Sequence, residues 1–299
     1  MWKILRSQKG SAAILFALAI TVLAGFSALV IDVGLFYLNK EQLSNMADAA
    51  ALAGARQLLS DATGSPTTTA QQIASLNGEK QGDTVTVTVS NNVVTVTVTR
   101  KVSFLFAPIL GITSSNITVS AGATAGVLAS ATGVMPFGVQ QETFTYGVDY
   151  TLKAGGGGGT TGNFGGLALG GNGASVYQAN IENGYSGTLH IGDKVSTEPG
   201  NMSGPTSTGV NYRIAQDPTA TFPPSNSSPR VVTIPIVDSM DVNGKKQVTI
   251  VGFAAFFLEG VGGSGNKNYV TGRFMKMVEP GDLSTSGTFF GLYNVKLIE

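Results

Sequence analysis

The chain has no cysteine, which removes disulfide staples, thiolate metal sites and cysteine nucleophiles together. It has one histidine, His190, so a histidine-rich metal site is impossible and a serine triad would have to rely on that residue. Neither a Gly-x-Ser-x-Gly elbow nor a Gly-x-x-x-x-Gly-Lys-Ser/Thr phosphate loop occurs. Charge is scarce as well: charged residues make up 12%, and Lys+Arg 18 balance Asp+Glu 18. Nothing basic enough to track a phosphate backbone exists beyond the first nine residues, which argues against nucleic acid as a partner. No cofactor, metal or small-molecule substrate is expected, and a hydrophobic content of 42% argues against a disordered tail.

What the chain does have is a charge-free run from Ser11 to Ile31, polar only at Ser11, Thr21 and Ser27. Its length matches a hydrocarbon core of ~30 Å at ~1.5 Å per helical residue. A cleaved secretory signal is the rival reading, because Ala17-Leu18-Ala19 has the small-x-small form of a cleavage site. Cleavage there would leave only Ala12 to Phe16 as the apolar region, below the ~7–15 residues a signal needs. Lys3, Arg6 and Lys9 precede the run and Asp32 follows it, so these four are read as membrane-anchor flanks. The lysine/arginine asymmetry predicts a cytoplasmic N-terminus and an extracytoplasmic bulk.

Beyond the run, Val33 to Leu59 contains no proline. Leu35, Leu38, Leu43, Met46, Ala50 and Ala53 recur three to five apart, which predicts that the helix continues as an amphipathic one. Within it Ala47, Ala50, Ala51 and Gly54 form a small-residue stripe that permits close backbone approach. Two partners for the stripe stay open: another copy or assembly protein, and the chain's own downstream strands. The turn chemistry of Ser60 to Pro66 ends this part. A short helix over Thr67 to Leu76 follows. Val85, Val87 and Val89, then Val94, Val96 and Val98, alternate with threonines about Ser90-Asn91-Asn92, and predict a β-hairpin. Phe104 to Gly111 reads as an apolar, helical corner, and Ile117 to Ala125 as a further strand.

The segments Gly10-Ser-Ala-Ala-Ile-Leu-Phe-Ala-Leu18, Ile31-Asp-Val-Gly-Leu-Phe-Tyr37 and Leu43-Ser-Asn-Met-Ala-Asp-Ala-Ala-Ala-Leu-Ala-Gly-Ala55 resemble the N-terminal region of TadE/TadG-like proteins of Flp (tight adherence) pilus assembly. The resemblance covers about Arg6 to Leu59 and is TadG-related. It implies a single-span envelope protein associated with a type IV-related pilus or secretion machine. It carries no catalytic signature. Type IV pilins are cut after a glycine and bear a glutamate five residues later; here Gly10 is followed at that place by Leu15, which favours a static anchor.

From about Gly133 glycine dominates, with the run Gly155 to Gly159 and the pairs at 165–166, 170–171 and 262–263. Strands are expected at Thr143 to Lys153, Thr188 to Ile191, Arg230 to Asp238, Gln247 to Leu258, Tyr269 to Val278 and Phe289 to Leu297, in a sandwich or open barrel. The passages Thr197 to Thr206 and Val251 to Glu259 also resemble extracytoplasmic regions of some TadG-related proteins. Thr249 to Leu258 is far below the ~17 residues of a span and rich in aromatics, so it reads as a buried central strand.

The expected architecture is α+β: a membrane anchor with an extended helix (1–60), a small α+β module with a hairpin (61–132), and a mostly-β, glycine-rich extracytoplasmic domain (133–299). His190 reads as an ordinary strand residue, and Asp193 and Glu198 as loop-stabilising acids rather than calcium ligands. Asp282, Ser284 and Ser286 have the spacing of the von Willebrand A metal motif, but the turn Glu279-Pro280-Gly281 precedes them instead of a strand. The leading functional reading is a non-catalytic structural or assembly component of a Flp-type pilus or secretion apparatus. Its partners would be the membrane and the apparatus proteins, with self-association through the helix. A surface adhesin is the second reading and an envelope hydrolase a distant third.

Overall fold

The computed structural model describes residues 9–59, 64–152, 163–242, 244–284 and 286–298. The charge-free run and the amphipathic stretch after it form one uninterrupted helix, α1 (Lys9–Gln57). No proline interrupts it, and at 49 residues its length is ~74 Å. By length and composition it is the one helix among the described residues able to cross a membrane. Two units divide the chain, Met1–Gly54 with Ser65–Ala123 and Leu297–Glu299, and Ala55–Gly64 with Thr124–Lys296.

In the first unit α1 leads to helix α2 (Pro66–Leu76), one residue longer than expected. Ser65 caps it: the Thr68 amide donates to Ser65 Oγ at 3.1 Å, and the Ser65 amide donates to Thr68 Oγ1 at 3.0 Å. Pro66 occupies the first turn, where its missing N–H costs nothing. The hairpin forms as predicted. Strand β1 (Thr84–Ser90) runs antiparallel to β2 (Val93–Ser103), with Val85 opposite Val98 and Val87 opposite Val96. Asn91 takes the left-handed conformation that the two-residue turn needs. A 3₁₀ turn at Ala107–Leu110 then leads into β3 (Ser114–Leu128), next to β2 in the sheet.

The faces of this sheet sort by parity. Val94, Val96, Val98, Ile117 and Ala123 are buried, while Thr97 pairs with Ser120 and Thr99 with Thr118 through hydroxyl contacts of 3.0 Å on the wetter face.

In the second unit the elements are β4 (Ser130–Ala131), β5 (Val139–Gln140), β6 (Asp149–Leu152), β7 (Asn163–Ala168), helix α3 (Ala174–Asn183), β8 (Leu189–His190), β9 (Lys194–Pro199) and helix α4 (Ser203–Gln216). Then follow β10 (Val231–Val237), β11 (Gln247–Gly262), β12 (Tyr269–Met275), β13 (Met277–Val278), β14 (Leu283–Ser284) and β15 (Leu292–Ile298), the last two residues of which are assigned to the first unit. Strands β5-β10-β11-β12-β6 lie side by side, and β9 joins β7 to the start of β11.

Strand β11 is the buried central strand that its composition predicts. Phe253, Ala255 and Phe257 enter one apolar cluster, and Ala254, Phe256 and Leu258 enter another. Burial on both faces explains why its sequence is a continuous apolar run instead of an alternation.

Two features differ from expectation. Helices α3 and α4 fall where no helix was read. Only Asp149–Leu152 of the expected strand from Thr143 is a strand, because Gly147 turns the chain at φ 78° and its amide donates to Phe274 O. Phe144 instead stacks on Phe274 with ring centroids 4.1 Å apart. The glycine run 155–159 lies outside the described residues.

Candidate functional site

The arrangement with most to say about function is the face of α1 that meets the hairpin module. Gly25, Asp32, Asn39 and Met46 recur every seven residues, so a nearly straight stripe runs along a 3.6-residue helix. Its lower part is nearly all apolar, and its upper part is buried: Leu43, Met46, Ala47, Ala50 and Ala51 are at 0–1% exposure.

The stripe residues Ala47, Ala50, Ala51 and Gly54 all lie inside the unit. A Cβ added at Gly54 would sit 2.9 Å from Val94 Cγ1, 3.0 Å from Pro66 O and 3.2 Å from Ala70 Cβ. The small side chains therefore set the distance between α1, α2 and β2, and the chain's own strand and helix lie against Gly54.

Of the four anchor flanks, Lys3 and Arg6 lie outside the described residues, and Lys9 begins α1. Asp32 is 2% exposed. Its carboxylate accepts the amides of Leu105 (2.7 Å), Phe106 (2.9 Å) and Ala107 (2.6 Å). A carboxylate receiving three donors from a 3₁₀ turn both fixes that turn and satisfies N–H groups that the turn leaves free. Phe36, one helical turn on, meets Phe104 with centroids 6.4 Å apart.

The next turns of α1, at Asn39 and Gln42, meet an ion pair that the sequence pattern did not reveal. Arg100 occupies an inward position of β2, continuing the parity of Val94, Val96 and Val98, and is 4% exposed. Its Nη2 lies 2.6 Å from Asp83 Oδ2 and donates to Gly78 O at 2.8 Å, while Nη1 reaches Asn39 Oδ1 at 3.2 Å and Gln42 Oε1 at 3.4 Å. Burial opposes the Asp83 charge, but the bonds from the Arg100 guanidinium and the Lys80 amide outweigh it and hold the carboxyl below its usual range. An open cleft of about 430 Å³, lined by residues that include Asn39, Lys80, Asp83 and Arg100, lies over the pair. The signal was available: an arginine at an in-facing position of a regular alternation needs a buried partner.

Residues 10–57 match the Tad family model, Flp pilus-assembly TadE/G-like, and residues 39–125 match Tad_C, Tad-like Flp pilus-assembly. Residues 10–125 are thus similar to Flp pilus-assembly families, the TadE/G-like match covering the helix and the Tad_C match the hairpin part. The second match begins at Asn39 and contains Asp83 and Arg100, so the buried network lies wholly within the Tad-matched residues. No curated protein and no solved structure matches the chain.

Outside the Tad module the remaining candidates do not converge. His190 ends β8 with its ring exposed, and Asp193 Oδ2 accepts the His190 amide at 2.7 Å. Glu198 is buried and accepts the Gly173 amide at 3.2 Å. Asp282 Oδ2 accepts Ser130 Oγ at 2.9 Å. Among the described residues no three His, Cys, Asp or Glu side chains stand close enough to share a metal ion.

Proposed function

We propose that the protein is a membrane-anchored, non-catalytic structural component of a Flp-type pilus or secretion apparatus. In this reading α1 crosses the cytoplasmic membrane once, Lys3, Arg6 and Lys9 remain on the cytoplasmic side, and everything after Ile31 is exported. One observation carries it: α1 passes without interruption from a half that is apolar all round and outward-facing into a half buried in the Tad module. A helix that is apolar on every side needs hydrocarbon around it. A cleaved signal would have no reason to run on as the core helix of the mature fold. The three-part organisation, anchor to residue 60, α+β module to 132 and extracytoplasmic domain to 299, is part of the same proposal. So is association with apparatus proteins.

Tags placed before Lys3 and after Glu299 test it in spheroplasts. Added protease should remove the C-terminal tag and spare the N-terminal one. A protected C-terminal tag on an intact membrane-bound chain would reject the topology. Recovery of the chain in the soluble fraction would reject the anchor.

A further inference from the structure

The geometry points to a second membrane contact: the apolar corner from Phe104 to Ile112 dips into the extracytoplasmic leaflet beside α1, and its occupant is lipid acyl chain. The inference rests on the anchored reading of α1.

The corner is unusually outward-facing for an apolar segment. Leu105, Ile109, Leu110 and Ile112 are 65%, 86%, 72% and 52% exposed, and residues 102–116 carry no charge. Contiguous exposed apolar surface of this kind marks an interaction site. Its level is fixed by α1 itself. Gly25, Ala28 and Leu29 of the helix, with Phe106, Ile109 and Leu110 of the corner, line an apolar cleft of about 120 Å³. Gly25 lies six residues before Ile31, the end of the charge-free run, so the corner reaches ~9 Å down the apolar part of the helix. If that part is in hydrocarbon, so is the corner. The depth matches the ~5–10 Å of interfacial elements.

The backbone supports the same environment, because lipid tolerates no unpaired N–H. The amides of Leu105, Phe106 and Ala107 donate to Asp32. Those of Phe104, Ile109, Gly111 and Ile112 donate to carbonyls, and residue 108 is proline, with none to satisfy. Asp32 thus does more than mark the end of a span. It ties the corner to the helix at the boundary while spending its own charge on amides.

The absence of cysteine allows a clean test. Full-length chains with the single changes Ile109→Cys, Leu23→Cys and Thr86→Cys carry a fluorophore in phosphatidylethanolamine/phosphatidylglycerol vesicles. Quenching is read with lipid spin-labelled near the top of its acyl chain and with aqueous iodide. Residue 109 should be quenched by the lipid label roughly twofold or more above residue 86, as a depth of ~5–10 Å implies, and be shielded from iodide. Iodide quenching at 109 equal to that at 86, with 23 lipid-quenched, overturns the corner while leaving the anchor intact. Shielding at 109 from both quenchers means that protein covers the corner, a second copy included, and also overturns it. Lack of lipid quenching at 23 overturns the anchor and the corner together.

Discussion

The two halves of α1 share one continuous backbone, yet they place their apolar side chains in opposite ways. Between Ala12 and Ile31 the large residues point outward, with Ile14, Phe16 and Leu23 at 70%, 70% and 65% exposure. Between Leu43 and Gly54 the helix buries one stripe, made largely of alanine and glycine, and keeps Lys40 and Glu41 outside it. Hydropathy separates a charge-free half from an amphipathic one, but it does not say which of them packs against protein. Side-chain size and the distribution of charge around the helix do, because a close-packed protein neighbour admits small residues on one face, whereas a fluid hydrocarbon shell accepts large ones on all.

The largest effect should come from the pair that secures the packed half. Asp83→Ala leaves the Arg100 charge buried without its partner and should cost about 3–5 kcal/mol in urea unfolding of the detergent-solubilised chain. The pH profile sharpens this. Because the folded Asp83 carboxyl is held low, its contribution is complete above the unfolded pKa of ~3.9 and drains away as pH falls through the folded value. The variant should lose that acid-side slope, and an unchanged slope would mean that other carboxylates produce it.

Truncating matched leucines in the two halves comes next. Leu43→Ala should destabilise the module by about 2–5 kcal/mol, while Leu23→Ala should leave its melting within ~0.5 kcal/mol. Equal losses would show that the outward half is packed after all.

The glycines give the smallest contrast and the finest one. Gly54→Leu should cost about 1–3 kcal/mol through overpacking against Val94 and Ala70. Gly34→Ala, with nothing within 4 Å of the added Cβ, should instead stabilise the helix by up to ~1 kcal/mol. A Gly54→Leu protein that keeps its stability but loses crosslinking to apparatus proteins would return the stripe to an intermolecular role.

The N-terminal module was legible in the sequence because its patterns are local. A twenty-residue apolar run, a Val/Thr alternation about Asn91 and a proline after a serine cap each specify their own element. Helices α3 and α4 were not legible for the opposite reason. α4 is built from Ser-Gly-Pro-Thr-Ser-Thr-Gly, poor helix formers taken alone. What holds it is tertiary: Thr206, Gly209 and Val210 are buried, and a Cβ at Gly209 would come within 2.6 Å of Ile181 Cγ2 on α3. Glycine there permits a close helix crossing, and no single-sequence period reveals it. The docking of Asp32 was equally hidden, since a lone acid after an apolar run looks like any boundary charge until the amides of residues 105–107 are placed above it.

The continuity of α1 has a mechanical consequence. On the proposed anchored reading, a helix without proline, carrying the hairpin module on its upper half, behaves as a lever whose short arm is held by lipid. With ~40 Å of it beyond the bilayer, a tilt of ~20°, ordinary for a single span, sweeps the far end sideways by ~14 Å. A load applied to the module would therefore be felt as torque in the membrane, and a change in bilayer thickness would be felt as a swing of the module.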